Sequence, residues 1–282
     1  MVLMARIIGV LVAVLALAGC TRATNYESAT GPRYAWSAPP VADPSPGLRV
    51  VTFNIRYALE VERALALLRE DEHLRTADVI ALQEMDAPSV DRIARGLGMS
   101  YVYYPAAVHP KVGRDFGNAV LARGRILKDG KVFLPHLSVG RGMQRVAVWA
   151  DLDVDGVRFR TYSLHLSADA EMSRRKRLDQ LRALIAEAEP LRAVVVAGDF
   201  NDRDAAGYAF ESAGYEWVTR DLPATVSRWF TWDHIFARGL RLAALDRRGV
   251  VADNRGASDH RPVWADLEPA STARRTSSTP SR

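Results

Sequence analysis

Among 282 residues there is a single cysteine, Cys20. No internal disulfide can therefore form, and no thiolate set is available to hold zinc. An apolar run of the ~20 residues that a bilayer-spanning helix requires is also missing, since the stretch from Ile7 to Ala18 covers only about 12. The body of the chain lacks an excess of charge of either sign. The formal net charge is +5, but Arg6 at the front and Arg274, Arg275 and Arg282 at the back supply nearly all of it. Non-specific nucleic-acid binding rests on neutralising many phosphates, and a near-neutral body supports it weakly. The densest basic run, Arg174-Arg175-Lys176-Arg177, is interspersed with Asp169, Glu171 and Asp179 and reads as a solvated helix face. No internal repeat is visible.

The chain divides into four segments. Residues 1–20 place Arg6 before a short apolar run that closes on Leu17-Ala18-Gly19-Cys20, the layout of an export signal. Its end resembles the lipobox of bacterial lipoproteins. That resemblance implies lipidation of Cys20, export to the cell envelope and anchoring to a membrane; the other reading is a free thiol after an ordinary signal. Thr21 stands where an aspartate is associated with inner-membrane retention, so the outer membrane is preferred. Residues 21–47 (GPRYAWSAPPVADPSPG within them) have no apolar period and read as a flexible linker. Residues 269–282 read as a disordered tail, which leaves 48–268 as the folded unit.

Within that unit β-rich runs at 48–57 and 77–85 are each followed by an amphipathic helical pattern, at 61–70 and 87–98. Strands then predominate at 101–108, 118–122, 126–134, 145–154 and 157–166, with Asp155-Gly156 a hairpin signal. A helix is expected over 169–189, a nearly pure apolar strand at 193–197, a short helix at 205–212, and strands near 230–236 and 261–267. Strand–helix units in both halves with a meander between them suggest an α/β fold of two packed sheets flanked by helices.

Six hydrophobic runs end in a group that handles protons or cations: TFNIR with Asn54, LQEMD with Glu84, SLHLS with His165, AGDFN with Asp199 and Asn201, TWDHIF with Asp233, and ASDHRPV with Asp259 and His260. Groups at strand ends sit on a rigid scaffold where the backbone is free to turn. Alternation puts Thr52, Asn54 and Arg56 on one strand face, and His234 on the face opposite Asp233. Asp86 and Asp202 read as turn formers, and His73, His109 and His136 as surface or turn residues.

The ordered set, with GNAVLA and with Arg177 and Gln180 after SLHLS, resembles the endonuclease/exonuclease/phosphatase superfamily over essentially all of 48–268. The resemblance implies a four-layer α/β/β/α sandwich that cleaves phosphoester bonds with a divalent cation, Mg²⁺ or Mn²⁺. Hard oxygen donors fit that cation. Glu84 is then the principal metal carboxylate, with Asn54 and Asp259 as further ligands. His260 is the general base, oriented by Asp233; Asp199 handles the attacking water; Asn201 and His165 donate to phosphoryl oxygens. Asn118 and Arg145 are candidate phosphate contacts.

Two histidines make the site similar to the deoxyribonuclease and sphingomyelinase branches, and the short unit leaves little room for DNA-gripping insertions. The arginine often found two positions before Asp233 is replaced by Thr231. Trp229, Phe230 and Trp232 read as core, or otherwise as an apolar lip suited to lipid or to base stacking. The expected function is a membrane-tethered, metal-dependent phosphodiesterase acting on a phospholipid headgroup. The alternatives are a secreted nuclease on DNA or RNA, and a non-catalytic, surface-anchored binding module. No obligate protein partner is evident.

Overall fold

The computed structural model describes residues 22–39 and 47–270. Cys20, the apolar run before it and the tail from residue 271 lie outside the described residues. The elements are β1 (Thr24–Asn25), β2 (Tyr34–Trp36), β3 (Leu48–Asn54), α1 (Val61–Glu70), β4 (Val79–Met85), α2 (Ala87–Leu97), β5 (Ser100–His109), β6 (Arg114–Ala122), β7 (Arg125–Phe133), β8 (Val146–Val154), β9 (Val157–His165), α3 (Arg174–Ala188), β10 (Val194–Asp199), α4 (Asp204–Ser212), β11 (Glu216–Trp217), β12 (Asp233–Arg238), β13 (Leu240–Leu242), β14 (Arg248–Val250) and β15 (Val263–Pro269).

One sheet runs β1-β5-β6-β4-β3-β15-β13, with β2 also on β5 and β14 also on β15; the other runs β11-β12-β10-β9-β8-β7. Both are mixed, because β3 lies parallel to β4 and β10 parallel to β9 while the other pairings are antiparallel. Period-two alternation decides what each strand buries. On β3, Val50 enters the layer between the sheets, while Val51 and Phe53 pack under α1 and α2. On β10, Val195 and Ala197 face the other sheet, and Val194 and Val196 face α3 and α4. Three apolar layers separate four structural layers, so the fold is the expected α/β/β/α sandwich.

Local chemistry explains the boundaries. Asp86 caps α2 by accepting from the Ser89 amide at 2.9 Å, with Pro88 in the first turn, and Gly98 ends the helix at φ 66°. Asp202 accepts from the Ala205 amide at 2.7 Å as α4 begins. Asp155 (φ 50°) and Gly156 (φ 83°) turn the β8–β9 hairpin. Helix α3 starts at Arg174 rather than near 169, because residues 168–172 form a turn closed by Met172 N–H to the Ala168 carbonyl. In the basic run Arg177 is buried and donates to the Met172 carbonyl at 2.8 Å, so it fastens that turn instead of facing solvent.

The linker expectation for 21–47 is corrected. Thr24–Asn25 and Tyr34–Trp36 both pair with β5. Two and three residues are too short to show a period, although Trp36 packs on the helix-side core; polar ties add to it, Tyr26 to Asp115 at 2.6 Å and Arg33 to Asp129 at 2.6 Å. No helix of the described residues is long and apolar enough to cross a membrane.

Candidate active site

Register places the six segments together. Asp199 is level with His165 across β10–β9 and with Asp233 across β10–β12. Asn54 ends β3 in the facing sheet, and His260 immediately precedes β15, whose Val263 pairs with Thr52. All of these positions lie at one end of the sandwich. Asn54, His165, Asp199, Asn201, Asp233 and His260 are all buried there, and Glu84 nearly so.

Glu84 reaches the cleft through a backbone irregularity. Ile80 and Leu82 point to the helix side, and alternation would send Glu84 the same way. The β4–β6 register slips between Leu82 and Met85, and Glu84 has φ 60°. The bulge re-aims its carboxylate between the sheets. Asn201 is also left-handed at φ 48°, and Arg56, Tyr57 and Ala58 form a left-handed turn at φ 29°, 54° and 49°. Strain of this kind, of order 1–3 kcal/mol per residue, persists where the surroundings over-determine it. Here the Tyr57 amide donates to Glu84 Oε2 at 2.9 Å, and the Arg56 amide to Asn54 Oδ1 at 3.0 Å.

Asp199 Oδ2 is the centre of the cluster. Asn54 Nδ2 donates to it at 2.9 Å, and His165 Nε2 and His260 Nε2 stand 3.5 Å and 3.6 Å away. The same Asn54 amide bridges to Glu84 Oε1 at 3.2 Å. His260 Nδ1 meets Asp233 Oδ2 at 2.9 Å, and the Ser258 hydroxyl ties the segment down by donating to the Asn54 carbonyl at 2.7 Å. On His165, Nδ1 faces an Arg145 guanidinium nitrogen at 3.2 Å. A guanidinium only donates, so Nδ1 accepts and the ring proton sits on Nε2, aimed at Asp199 and Glu84.

The electrostatics are those of a site short of positive charge. Burial raises Glu84, against the Asn54 hydrogen bond, and raises Asp199 to about 7, against the His260 charge. Burial pulls His260 down, but the carboxylates of Asp233 and Asp199 outweigh it and hold the ring at about 10. His165 is pushed well below 6.5 by burial and by Arg145, so it is a neutral donor. Buried carboxylates bridged only by a neutral amide fit a cation. Asp199, Asp233 and His260 also lie within 4.8 Å of one another. There, however, Asp233 is already committed to Nδ1 of the ring, and a hard cation prefers oxygen donors. Glu84 and Asp199 form a second, all-oxygen pair, with the Asn54 amide nitrogen standing between their carboxylates and its Oδ1 held by the Arg56 N–H.

Four expectations change. Asp259 is half-exposed at the rim with its carboxylate 3.2 Å from Arg56, apart from the buried acids, so it is no ligand in this arrangement. Asn118 donates to the Val146 carbonyl at 2.8 Å and so braces the two sheets rather than meeting phosphate. Arg145 is buried with its donors on Ser167, His165 and Glu171; it serves His165. Asn201 Nδ2 donates to the Leu166 carbonyl at 2.9 Å while its N–H holds Asp199 Oδ1 at 2.9 Å, which makes it a brace rather than a phosphoryl donor.

His234 is structural as expected, accepting from Trp217 Nε1 at 3.2 Å. His109, by contrast, is buried between Tyr57 and Phe116. Trp229 and Phe230 are 72% and 48% exposed and so are not core.

Gln83, Ser163 and Glu171 were missed. Gln83 accepts from Thr52 at 3.2 Å and donates to Ser163 at 3.1 Å, a buried polar tie beneath the cluster. Both residues stand inside the quoted motifs. A large cavity of about 1100 Å³ lies at the other end of the sandwich, where its charges are already paired, as in Arg49–Asp266.

The match of residues 51–260 to the endonuclease/exonuclease/phosphatase family model settles the classification. The chain belongs to this family. Members generally hydrolyse phosphoester bonds and depend on a divalent metal. No curated protein matches the chain by sequence.

Solved structures agree on the fold. An endonuclease/exonuclease/phosphatase from Bacteroides vulgatus is 19% identical over 79% of this chain and 99% of that one, with a TM-score of 0.64. The human Nocturnin catalytic domain with bound sulfate is 18% identical over 80% and 95%, at 0.60. TDP2 from D. rerio, complexed with single-strand DNA product, is 18% identical over 79% and 99%, at 0.55.

Proposed function

We propose that the chain is a divalent-metal-dependent phosphodiesterase, exported and lipid-anchored at Cys20, cleaving its substrate with an activated water. The observation that carries the reading is the convergence of Glu84, Asn54, Asp199, His165 and the His260–Asp233 pair on one cleft mouth. No member of that set is missing, which argues against a non-catalytic binding module.

Glu84, with Asp199 beside it and Asn54 joining through its oxygen once its amide turns, would hold Mg²⁺ or Mn²⁺, which would supply Lewis acidity toward the phosphoryl group. The protein's own groups do the rest. Asp233 holds the His260 ring by Nδ1, which leaves Nε2 turned toward Asp199 Oδ2. With His260 held protonated at about 10, Asp199 Oδ2 is the atom placed to take up a water's proton, and the His260 Nε2–H supports it. His165 is neutral, with Nε2–H pointing inward, and donates to a phosphoryl oxygen as charge grows on it. Arg145, Asn201 and Ser258 hold these groups in place. In-line attack needs such pre-set geometry more than covalent chemistry.

Titrating Mg²⁺ against hydrolysis of bis(p-nitrophenyl) phosphate tests the reading. Turnover that appears with the metal and vanishes with chelator is expected; absence of any metal-dependent turnover would leave the binding module. A panel of plasmid DNA, RNA, sphingomyelin, phosphatidylinositol phosphates and phosphomonoesters then assigns the substrate.

A further inference from the structure

We propose that the mouth of the catalytic cleft is itself the membrane-docking face, so that the bilayer lies against the rim of the active site and the substrate is drawn from the lipid surface. This rests on the phosphodiesterase reading and narrows it to a lipid-borne phosphodiester.

Three observations converge. The first is where the chain enters the fold. β5 runs toward the active-site end and finishes at His109, and β1 lies antiparallel to it, with Thr24 level with Val108 and Asn25 with Ala107. Residues ahead of Thr24 therefore reach the sandwich from the active-site end. Ala23 N–H donates to the Arg141 carbonyl at 2.9 Å, and Asn25 Nδ2 to the Gly142 carbonyl at 2.8 Å. That fastens the entering chain to the β7–β8 loop, next to Arg145 and His165. Cys20 stands three residues before Ala23. Three residues span at most roughly 10 Å whatever path they take. A lipid on Cys20 holds this loop close to the bilayer.

The second is the distribution of exposed apolar side chains. Of the nine large ones among the described residues, five sit on loops at this same end: Leu59, Leu137, Val139, Trp229 and Phe230. Trp229 is the tip of a stiff turn. Val226 bridges both Phe230 and His260 across the turn's base, and Thr225 Oγ1 accepts from the Trp232 and Asp233 amides at 3.1 Å and 3.3 Å. The apolar tip is thus built onto the same backbone that holds the catalytic pair. Side chains on three separate loops suit a flat apolar boundary better than a single stacked base, and Trp favours such boundaries.

The third is charge. Acids of this rim are engaged within the protein: Asp259 by Arg56, Glu171 by Arg145, Asp169 by Arg177. Lys111 and Arg228 instead stand over the rings of Tyr57 and Trp229, at 5.1 Å in both cases. Cations beside the exposed Trp229 ring and the half-buried Tyr57 ring match a phosphate-bearing lipid surface.

The experiment reconstitutes the full-length chain in vesicles of phosphatidylethanolamine and phosphatidylglycerol carrying a brominated phosphatidylcholine. Mass spectrometry first reads the acylation of Cys20; an unmodified thiol there removes the tether and overturns the proposal. Tryptophan fluorescence should be quenched by the brominated lipid, and Trp229→Phe should lose most of that quenching. Aqueous iodide should reach Trp229 less in vesicles than in detergent solution, read as the difference between the parent and Trp229→Phe because five other tryptophans contribute. Quenching unchanged by Trp229→Phe, or Trp229 as open to iodide in vesicles as in solution, overturns the docking. So does protection of Trp229 by a single-stranded oligonucleotide but not by lipid. Turnover of bis(p-nitrophenyl) phosphate is followed in parallel. Metal-dependent turnover without Trp229 burial sinks the docking alone, whereas Trp229 burial without turnover sinks the enzymatic reading.

Discussion

Replacing Asp233 by Asn isolates one link of the proposed chemistry. The side chain keeps its volume, so the buried site should still close. What changes is the 2.9 Å contact to His260 Nδ1. A charge-assisted hydrogen bond of this kind is worth about 1.5–3 kcal/mol. The amide oxygen can still accept from Nδ1–H, but it carries no charge to hold the second proton on the ring. One of the two carboxylates that hold the ring up at about 10 is lost, so the titration midpoint of His260 should fall. General acid–base assistance contributes typically ~10²–10⁴-fold, or about 3–5 kcal/mol of barrier at 1.36 kcal/mol per tenfold. In steady-state hydrolysis of bis(p-nitrophenyl) phosphate at saturating Mg²⁺, kcat should drop by about that factor with KM little changed. Circular dichroism and thermal melting check the fold. A folded variant whose kcat stays within roughly tenfold of the parent would refute the role of the pair.

Glu84→Gln should abolish most turnover and also remove the gain in melting temperature that Mg²⁺ gives the parent, while leaving the metal-free protein at least as stable, because burial disfavours the Glu84 charge; an undiminished Mg²⁺ shift in a thermal melt would contradict this. Arg145→Met should lower kcat by roughly tenfold or more with KM nearly unchanged, since the residue sets the His165 tautomer; a rise in KM alone would make it a phosphate ligand instead. The metal-free protein should lose stability from pH 7 toward pH 10. Asp199 (3.8 raised to about 7) and His260 (6.5 raised to about 10) both bind protons more tightly when folded. The Asp199 contribution is therefore lost between 3.8 and about 7 and the His260 contribution between 6.5 and about 10, so the fall above pH 7 is the work of His260. His165, held low, acts oppositely and only on acidification. Melting temperatures measured in chelator that stay flat or rise over that range would refute the assignment.

The catalytic set was legible in the sequence because strand ends carry it and alternation gives each strand a definite face. Thr52 and Asn54 enter the cleft while Phe53 turns away, and Asp233 enters while His234 turns to the helix layer, as period two requires. Alternation fails where the backbone departs from it. Glu84 belongs to the wrong parity and is rescued by a bulge that no residue pattern announces. Asp259, beside His260, is drawn outward by Arg56, a partner more than two hundred positions away. Arg145 and Asn118 look alike as candidate phosphate contacts, and only the packed structure shows that their donors are taken, those of Asn118 across the two sheets and those of Arg145 by His165 and its neighbours. The strands at 24–25 and 34–36 were hidden because two or three residues are too few to show a period. Trp229 and Phe230 were misjudged as core because three aromatics within four residues look like a buried strand until the turn at 227–229 is seen.

The central claim is that side chains from both sheets form one cation site at the cleft mouth. Anomalous diffraction from crystals soaked in Mn²⁺ locates such an ion directly. One peak in contact with Glu84 and Asn54, beside Asp199, is the expected result. A peak at Asp259 or elsewhere on the surface, with none at Glu84 under conditions that support turnover, would contradict it.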